Sequence, residues 1–186
     1  MASMTECVAL LRGINVGRAK RMAMADLRCL LEGLGFSAVR TVLNSGNAVF
    51  QTARPDIQKV TLRIEAAIVE KFGFSSSVVA VTAETLRTIM KENGLLAAAG
   101  DSSRLFVAFV ADPAALSKAK ALLAESWAPE VFAVGSKAAY LWCPPGVMDS
   151  KLIKAFSRLT GESATMRNWA TVLKIQAAIQ GRRNAT

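Results

Sequence analysis

Apolar positions follow two rhythms along this chain. Short unbroken runs at Cys7–Leu11, Val39–Leu43, Ala48–Gln51 and Val78–Val81 read as strands. Between them, Leu27, Leu30, Leu31 and Leu34 recur at i, i+3, i+4 and i+7, one face of a helix that Gly33 and Gly35 help to stop. Ile57, Val60, Ile64 and Ile68 mark a second helix, with Pro55 in its first turn and its end near Lys71. Asn44-Ser45-Gly46-Asn47 separates two strand runs and is a hairpin signal. The order β-α-β-β-α-β over Thr5–Val81 is the ferredoxin-like unit.

A linking helix over Ala83–Asn93 follows, then an Ala-, Gly- and Ser-rich stretch, Asn93–Ser103, that makes the best boundary. The second half restarts with a strand at Leu105–Val110. Asp112-Pro113 is an N-cap followed by an N1 proline and opens a helix through Glu125. Val131–Val134 and Ala138–Trp142 read as strands around Gly135-Ser136, and helices follow at Lys151–Leu159 and Arg167–Gln180. The fold class is therefore α+β, with two linked subdomains. Residues 1–93 form the ferredoxin-like one, and residues 94–186 form a β-α-β-β-α-α one. Each is small for a core of its own, so a shared interface is expected.

Composition narrows the chemistry. The chain has 186 residues and no His, which removes Ser-His-Asp catalysis, Cys-His catalysis and His metal sites. Its three cysteines, Cys7, Cys29 and Cys143, are far apart, which argues for reduced thiols and against a disulfide scaffold or zinc site. No apolar run reaches the roughly 18 residues of a membrane span, and no signal segment is evident at the start. A cytoplasmic location, no membrane partner, no metal and no cofactor are expected. The net charge of +9 directs attention to anionic partners.

The first candidate site is Arg12-Gly13-Ile14-Asn15-Val16-Gly17-Arg18-Ala19-Lys20-Arg21. No acid occurs between Glu6 and Asp26, while the stretch holds four cations. Its glycines let the backbone expose N–H groups, as an anion nest requires, although the spacing is neither a P-loop nor G-x-G-x-x-G. In a ferredoxin-like unit the first two strands run parallel, so the loop after the first strand and the hairpin after the second share one edge. That placement adds Asn15, Asn44, Ser45, Gly46 and Asn47 to the cations. A solvated basic loop beside an ordinary tight turn is the alternative.

The second candidate is the pair of C-terminal helices. Leu152, Ala155, Phe156 and Leu159 share one face of the first, and Lys151, Lys154 and Arg158 the other. On the last helix Trp169, Val172, Leu173 and Gln176 are placed on one side and Arg167, Thr171 and Lys174 on the other. Such faces suit phosphates, carboxylates or a nucleic acid backbone, or serve as solvated surface. Ser150 is a plausible N-cap preceding Lys151. Cys7 reads as inert packing, and Cys29 lies off its leucine stripe without an evident base.

Four stretches carry a resemblance: Ala9–Gly17 (ALLRGINVG), Ser45–Phe50 (SGNAVF), Ser150-Lys151-Leu152, and Thr165–Lys174 (TMRNWATVLK). On these the chain resembles the domain-of-unknown-function 1697 family, mostly bacterial proteins, over about Thr5 to Ala177. The resemblance implies two linked α+β subdomains and brings no activity. The chain departs from the family pattern at Arg18-Ala19-Lys20-Arg21, which replaces a Gly-Lys-Asn-Lys type of run, and at Asn44, where Gln is usual.

The leading functional expectation is binding of an anionic ligand, a nucleotide or a nucleic acid. The residues expected to meet it are Arg12, Gly13, Asn15, Gly17, Ser45, Gly46 and Asn47, with Lys151, Arg167, Asn168 and Lys174 as a second group. One alternative is an enzyme acting on a phosphorylated or carboxylated small molecule, with Lys151 or Arg167 acting electrostatically. Another is an interaction module whose basic faces dock an acidic protein.

Overall fold

In a computed structural model, residues 4–17, 19–53 and 55–181 are described. The first strand, β1 (Thr5–Leu11), is followed by α1 (Met24–Gly33), β2 (Ser37–Val42), β3 (Asn47–Thr52), α2 (Ile57–Phe72), β4 (Val78–Thr82) and α3 (Ala83–Lys91). Then come β5 (Leu105–Val110), α4 (Pro113–Ala119) with a 3-10 extension over Lys120–Ala124, β6 (Val131–Val134) and β7 (Ala138–Trp142). The chain ends its described course with α5 (Lys151–Thr160), β8 (Ala164–Asn168) and α6 (Trp169–Gln180). The protein is α+β, built of two four-stranded antiparallel sheets ordered β2-β3-β1-β4 and β6-β7-β5-β8.

The chain divides into two compact units. One comprises the residues through Leu86 together with those from Lys174 onward, and the other is Arg87–Leu173. The division falls inside α3 and α6, whereas the sequence places its boundary at 93/94, in the loop after α3.

The first unit is ferredoxin-like, as the apolar rhythm implies. On one face of its sheet Cys7, Ala9, Leu11, Ala48, Phe50, Val78 and Ala80 pack in one cluster with Leu27, Leu30 and Leu31 of α1 and Val60, Ile64 and Ile68 of α2. Val8, Leu10, Val49 and Val79, which alternate with them, are buried as well. Burial on both faces is why these strands read as continuous apolar runs instead of alternating ones. Asp56 caps α2, accepting from the Lys59 N–H at 3.1 Å, so Pro55 precedes the cap instead of occupying the first turn.

The second unit repeats that topology, and here the expected order β-α-β-β-α-α gains a strand. β8 lies against β5, from Ala164 opposite Val110 to Asn168 opposite Phe106. The last helix therefore begins at Trp169, not Arg167. Asn168 accepts from the Thr171 N–H at 2.9 Å and so caps that helix directly off the strand, with no loop to mark the change. Phe106, Ala108, Ala139, Leu141, Ala164, Leu116, Ala119, Leu152, Ile153 and Phe156 form one cluster between this sheet and α4 with α5. Ile153 takes the buried place expected for Leu159, which is exposed, and Leu173 is exposed while Ile175 and Ile179 are buried on α6.

Candidate functional site

The two stretches singled out in the first half do meet at one end of the first sheet. β2 and β1 both run antiparallel to β3, so their ends face the same way. The loop from Arg12 to Ala23 leaves β1 there, and the hairpin around Asn44–Asn47 leaves β2 there. Leu11 N–H donates to the Gly46 carbonyl at 2.8 Å, and the Asn15 side-chain amide donates to the Asn44 carbonyl at 2.9 Å.

Asn15 organises this loop. Its Nδ2 also donates to the Met22 carbonyl at 2.8 Å, its Oδ1 accepts from the Met22 N–H at 2.9 Å, and its own N–H donates to the Lys20 carbonyl at 3.1 Å. The amide thus mimics a strand partner across seven residues of chain. Its φ of 55° lies in the left-handed region that Asn tolerates better than most side chains. Both amide hydrogens are committed to the chain, so Asn15 shapes the loop from within. Asn47 does the same for the hairpin: it is fully buried and its Nδ2 donates to the Val42 carbonyl at 2.8 Å and to Ser45 Oγ at 3.0 Å. Gly46, at φ 74°, leaves no room for a side chain. A Cβ there would stand 2.7 Å from Leu11 Cβ and 2.8 Å from Ile14 Cδ1.

The segment before β4 holds the loop from the other side. Arg12 is half-buried, its N–H donates to the Ser77 carbonyl at 2.8 Å, and its carbonyl accepts from Ser76 Oγ at 2.8 Å. Lys20 Nζ donates to the Ser75 carbonyl at 2.7 Å. Gly13 and Gly17 are exposed turn residues with φ of 69° and 63°. Arg18, part of the expected cationic run, lies outside the described residues.

These constraints leave a cavity of about 830 Å³, lined by Ile14, Asn15, Val16, Arg21, Met22, Ala23, Met24, Asn44 and Ser45. Its wall is mixed: an exposed guanidinium, an exposed hydroxyl and amide, and apolar side chains including Val16, which is 72% exposed. Ala23, the N-cap of α1, lines the cavity together with Met24 and offers no side-chain acceptor to the first turn. Arg21 and Ser45 fall in the stretches the sequence marks. The Met22-Ala23-Met24 wall does not, because nothing in its composition distinguishes it from ordinary core.

The second group does not assemble into such a place. Arg167 sits on β8 opposite Val107, only 9% exposed, donating to Thr165 Oγ1 at 3.0 Å and to the Met166 carbonyl at 2.9 Å. It is not on a helix face. Burial pulls its guanidinium down to about 10, still charged at neutral pH. Asn168 is the cap already described. Lys174 is exposed on α6, and Lys151 is exposed at the start of α5.

The N-terminus of α5 holds a buried constellation that sequence reading reaches only at Ser150. Ser150 Oγ accepts from the Ile153 N–H at 2.8 Å, as an N-cap should. It also donates to the carboxylate of Glu130, which is 7% exposed and accepts from the Lys151 N–H at 3.0 Å. An internal carboxylate therefore occupies the anion position of this helix. Cys143 Sγ lies 3.4 Å from Ser150 Oγ. Burial above all, with Glu130 adding to it, pushes its thiol up to about 12 against the lowering effect of the Ser150 hydroxyl, and burial pushes Cys7 up to about 11. Neither is a nucleophile at neutral pH. Cys29 is exposed. Among the described residues no cluster of His, Cys, Asp and Glu is suited to a metal, and no helix is long and apolar enough to cross a membrane.

Comparison with known proteins agrees with the fold. A family described as "Protein of unknown function (DUF1697)" matches residues 4–140, a span that includes both stretches of the cavity and ends before those at 150–152 and 165–174. The solved structure of the conserved bacterial protein SP0830 from Streptococcus pneumoniae is similar over 95% of this chain and 99% of that one, with a TM-score of 0.74 and 22% identity. That likeness concerns the fold alone. No curated protein matches the chain.

Proposed function

This chain belongs to the DUF1697 family of proteins of unknown function, and from that premise, which transfers no activity, we propose that the first unit binds a small organic anion of nucleotide type. The observation that carries this reading is the cavity between the β1–α1 loop and the β2–β3 hairpin. Its volume of about 830 Å³ falls within the roughly 300–1,000 Å³ typical of small-molecule sites. A bare inorganic anion would leave the Val16 and Met24 side of the cavity uncovered, whereas a ligand with both an apolar body and a phosphate or carboxylate uses it. Arg21 supplies the planar fork suited to such an anion, and Ser45 and Asn44 supply neutral hydrogen bonds. Asn15 and Asn47 hold the two walls in register and leave the ligand to others.

The enzymatic alternative has less support. The two buried thiols are held protonated, and Arg167 is engaged inside the second unit.

The test is thermal shift followed by calorimetric titration with adenosine monophosphate, adenosine, ribose 5-phosphate and orthophosphate. The mononucleotide is expected to bind most tightly, and at one hundred times its Kd it should stabilise the fold by about 2.7 kcal/mol. Arg21→Ala is expected to weaken it at least tenfold without changing the unliganded Tm. The reading fails if none of the four compounds binds, or if Arg21→Ala leaves affinity unchanged.

A further inference from the structure

The helices of the second unit carry charge in a way those of the first do not. On α1 and α2 the cations Arg28, Lys59, Arg63 and Lys71 are matched in number by the acids Asp26, Glu32, Glu65 and Glu70. Arg28 pairs with Glu32 at 4.0 Å, and Lys59 with Asp56 at 3.3 Å. On α4, its 3-10 extension and α5 stand Lys118, Lys120, Lys151, Lys154 and Arg158, with no acid in either segment. All five are exposed, and none forms an ion pair among the described residues.

The three on α5 share one face, while Lys118 and Lys120, two residues apart, fall on different sides of α4 and its extension. α4 and α5 pack on each other and bury Leu116, Ala119, Leu152, Ile153 and Phe156 against the same face of the second sheet, so their other sides point away from it together. On α5 the angular positions of Lys151, Lys154 and Arg158 lie opposite the buried stripe at 100° per residue. The nearest acids in sequence, Asp112, Glu125, Asp149 and Glu162, lie outside these segments, and Glu130 is buried and hydrogen-bonded at the N-terminus of α5. Three exposed cations on one face of α5, with no acid on that helix, make a local positive field.

We propose that this α5 face docks the phosphate backbone of duplex nucleic acid, without reading its sequence. Charge complementarity selects a polyanion. The absence of any exposed aromatic on the described residues of α4 and α5 selects a backbone contact over the stacked bases of a single strand. The surface lies in the other unit from the cavity, and the proposal is independent of the cavity's ligand.

The experiment is fluorescence anisotropy with a labelled 20-base-pair duplex DNA over 50–200 mM salt, using the full chain. Lys151→Gln/Lys154→Gln/Arg158→Gln is compared with Arg28→Gln/Lys59→Gln/Lys71→Gln, which removes the same charge from the first unit. The first triple variant is expected to bind at least tenfold more weakly at 50 mM salt. Its slope of log K against log salt should flatten by up to about 2.7, from about 0.9 for each phosphate no longer neutralised. The second should stay within about threefold of the parent. Equal weakening by both triples would overturn the proposal, leaving net charge alone as the cause. Absence of binding at 50 mM salt, or tighter binding to polyglutamate or to vesicles rich in anionic lipid than to the duplex, would overturn it as well.

Discussion

In the first unit the chain leaves β1 and travels from residue 12 to residue 23 before α1 begins. In the second it leaves β5 and enters α4 after residues 111 and 112. The strand order is the same in both, yet this one connection sets them apart. A long connection strands backbone N–H and carbonyl groups that must find partners. Asn15 supplies several of them, and the open cleft between this loop and the hairpin is the cavity. The short connection is held by the Ala111 N–H donating to the Ser163 carbonyl at 2.8 Å and by Asp112, whose carboxylate accepts from the Ala114 N–H at 2.8 Å. Its helices then cover the sheet plainly, and what distinguishes them is surface charge. One topology thus yields a concave site where a loop has been lengthened and a basic helical face where it has not.

The hairpins give the sharpest test of this contrast. Gly46 and Gly135 both sit beside a hairpin turn, but an added Cβ meets different things. At Gly46 it meets Leu11 Cβ, fixed to a central strand, and the φ of 74° disfavours any L side chain. At Gly135 it meets the ends of the Glu92 and Tyr140 side chains, with no positive φ. Gly46→Ala is expected to cost about 3 kcal/mol, the left-handed penalty added to overpacking. Gly135→Ala should cost less than half of that. Urea unfolding midpoints for the two variants decide the matter, and a larger loss at Gly135 would show that the loop packing of the first unit is not what fixes its shape.

The polar braces come next in size. Glu130→Ala removes a buried carboxylate from Ser150 Oγ and the Lys151 N–H, and should cost about 2–3 kcal/mol, the penalty of stranding buried donors. Asn15→Ala strands the Met22 N–H and the Met22 and Asn44 carbonyls, but at a half-exposed place where water can replace the amide. About 1–2 kcal/mol is expected there, with loss of mononucleotide binding as its larger consequence. If Asn15→Ala keeps full affinity, the loop does not need its brace to form the site.

Much of the fold is legible in the residue order because its strands are apolar on both faces and its turns carry Gly, Asn or Asp-Pro. The strand boundaries at Leu105–Val110, Val131–Val134 and Ala138–Trp142 follow directly. β8 does not. Ala164–Asn168 is short, holds Thr, Arg and Asn, and passes into α6 without a loop, so only its long-range pairing with β5 defines it. The candidate site is half legible in the same sense. Parallel running of β1 and β2 brings Asn15 near Asn44, which topology implies. That Asn15 and Asn47 would spend their side chains inward depends on hydrogen bonds between distant backbone groups, which spacing does not encode. Arg167 shows the same limit, since its burial follows from β8.

Each unit also hides one thiol, and alkaline titration compares them. The unfolded chain releases a thiol proton near pH 9, while the folded one holds it to about 11 at Cys7 and about 12 at Cys143. Stability is therefore unaffected by these groups below pH 9 and falls as pH rises through those windows, by about 1 kcal/mol for each thiol near pH 10. With a thiol reagent at pH 8, Cys29 alone should react quickly in the native protein, and all three should react in denaturant. Rapid native reaction at Cys143 would mean that the α5 N-terminus opens readily.

The smallest effect expected concerns the cap that α1 lacks. Ser150 and Asp112 cap the helices of the second unit with their own side chains, and Ala23 cannot. Its φ of −69° and ψ of 144° already match the extended geometry of a capping residue. Ala23→Ser should therefore stabilise the unliganded protein by about 0.5–1 kcal/mol, by satisfying one first-turn N–H. The same hydroxyl would occupy the positive end of α1, where the cavity ends. If the bound anion uses those N–H groups, the variant should gain Tm and lose mononucleotide affinity by a few-fold, while Asp112 and Ser150 variants lose Tm and leave affinity untouched. A rise in both quantities would place the anion on Arg21 alone and detach the helix end from the site.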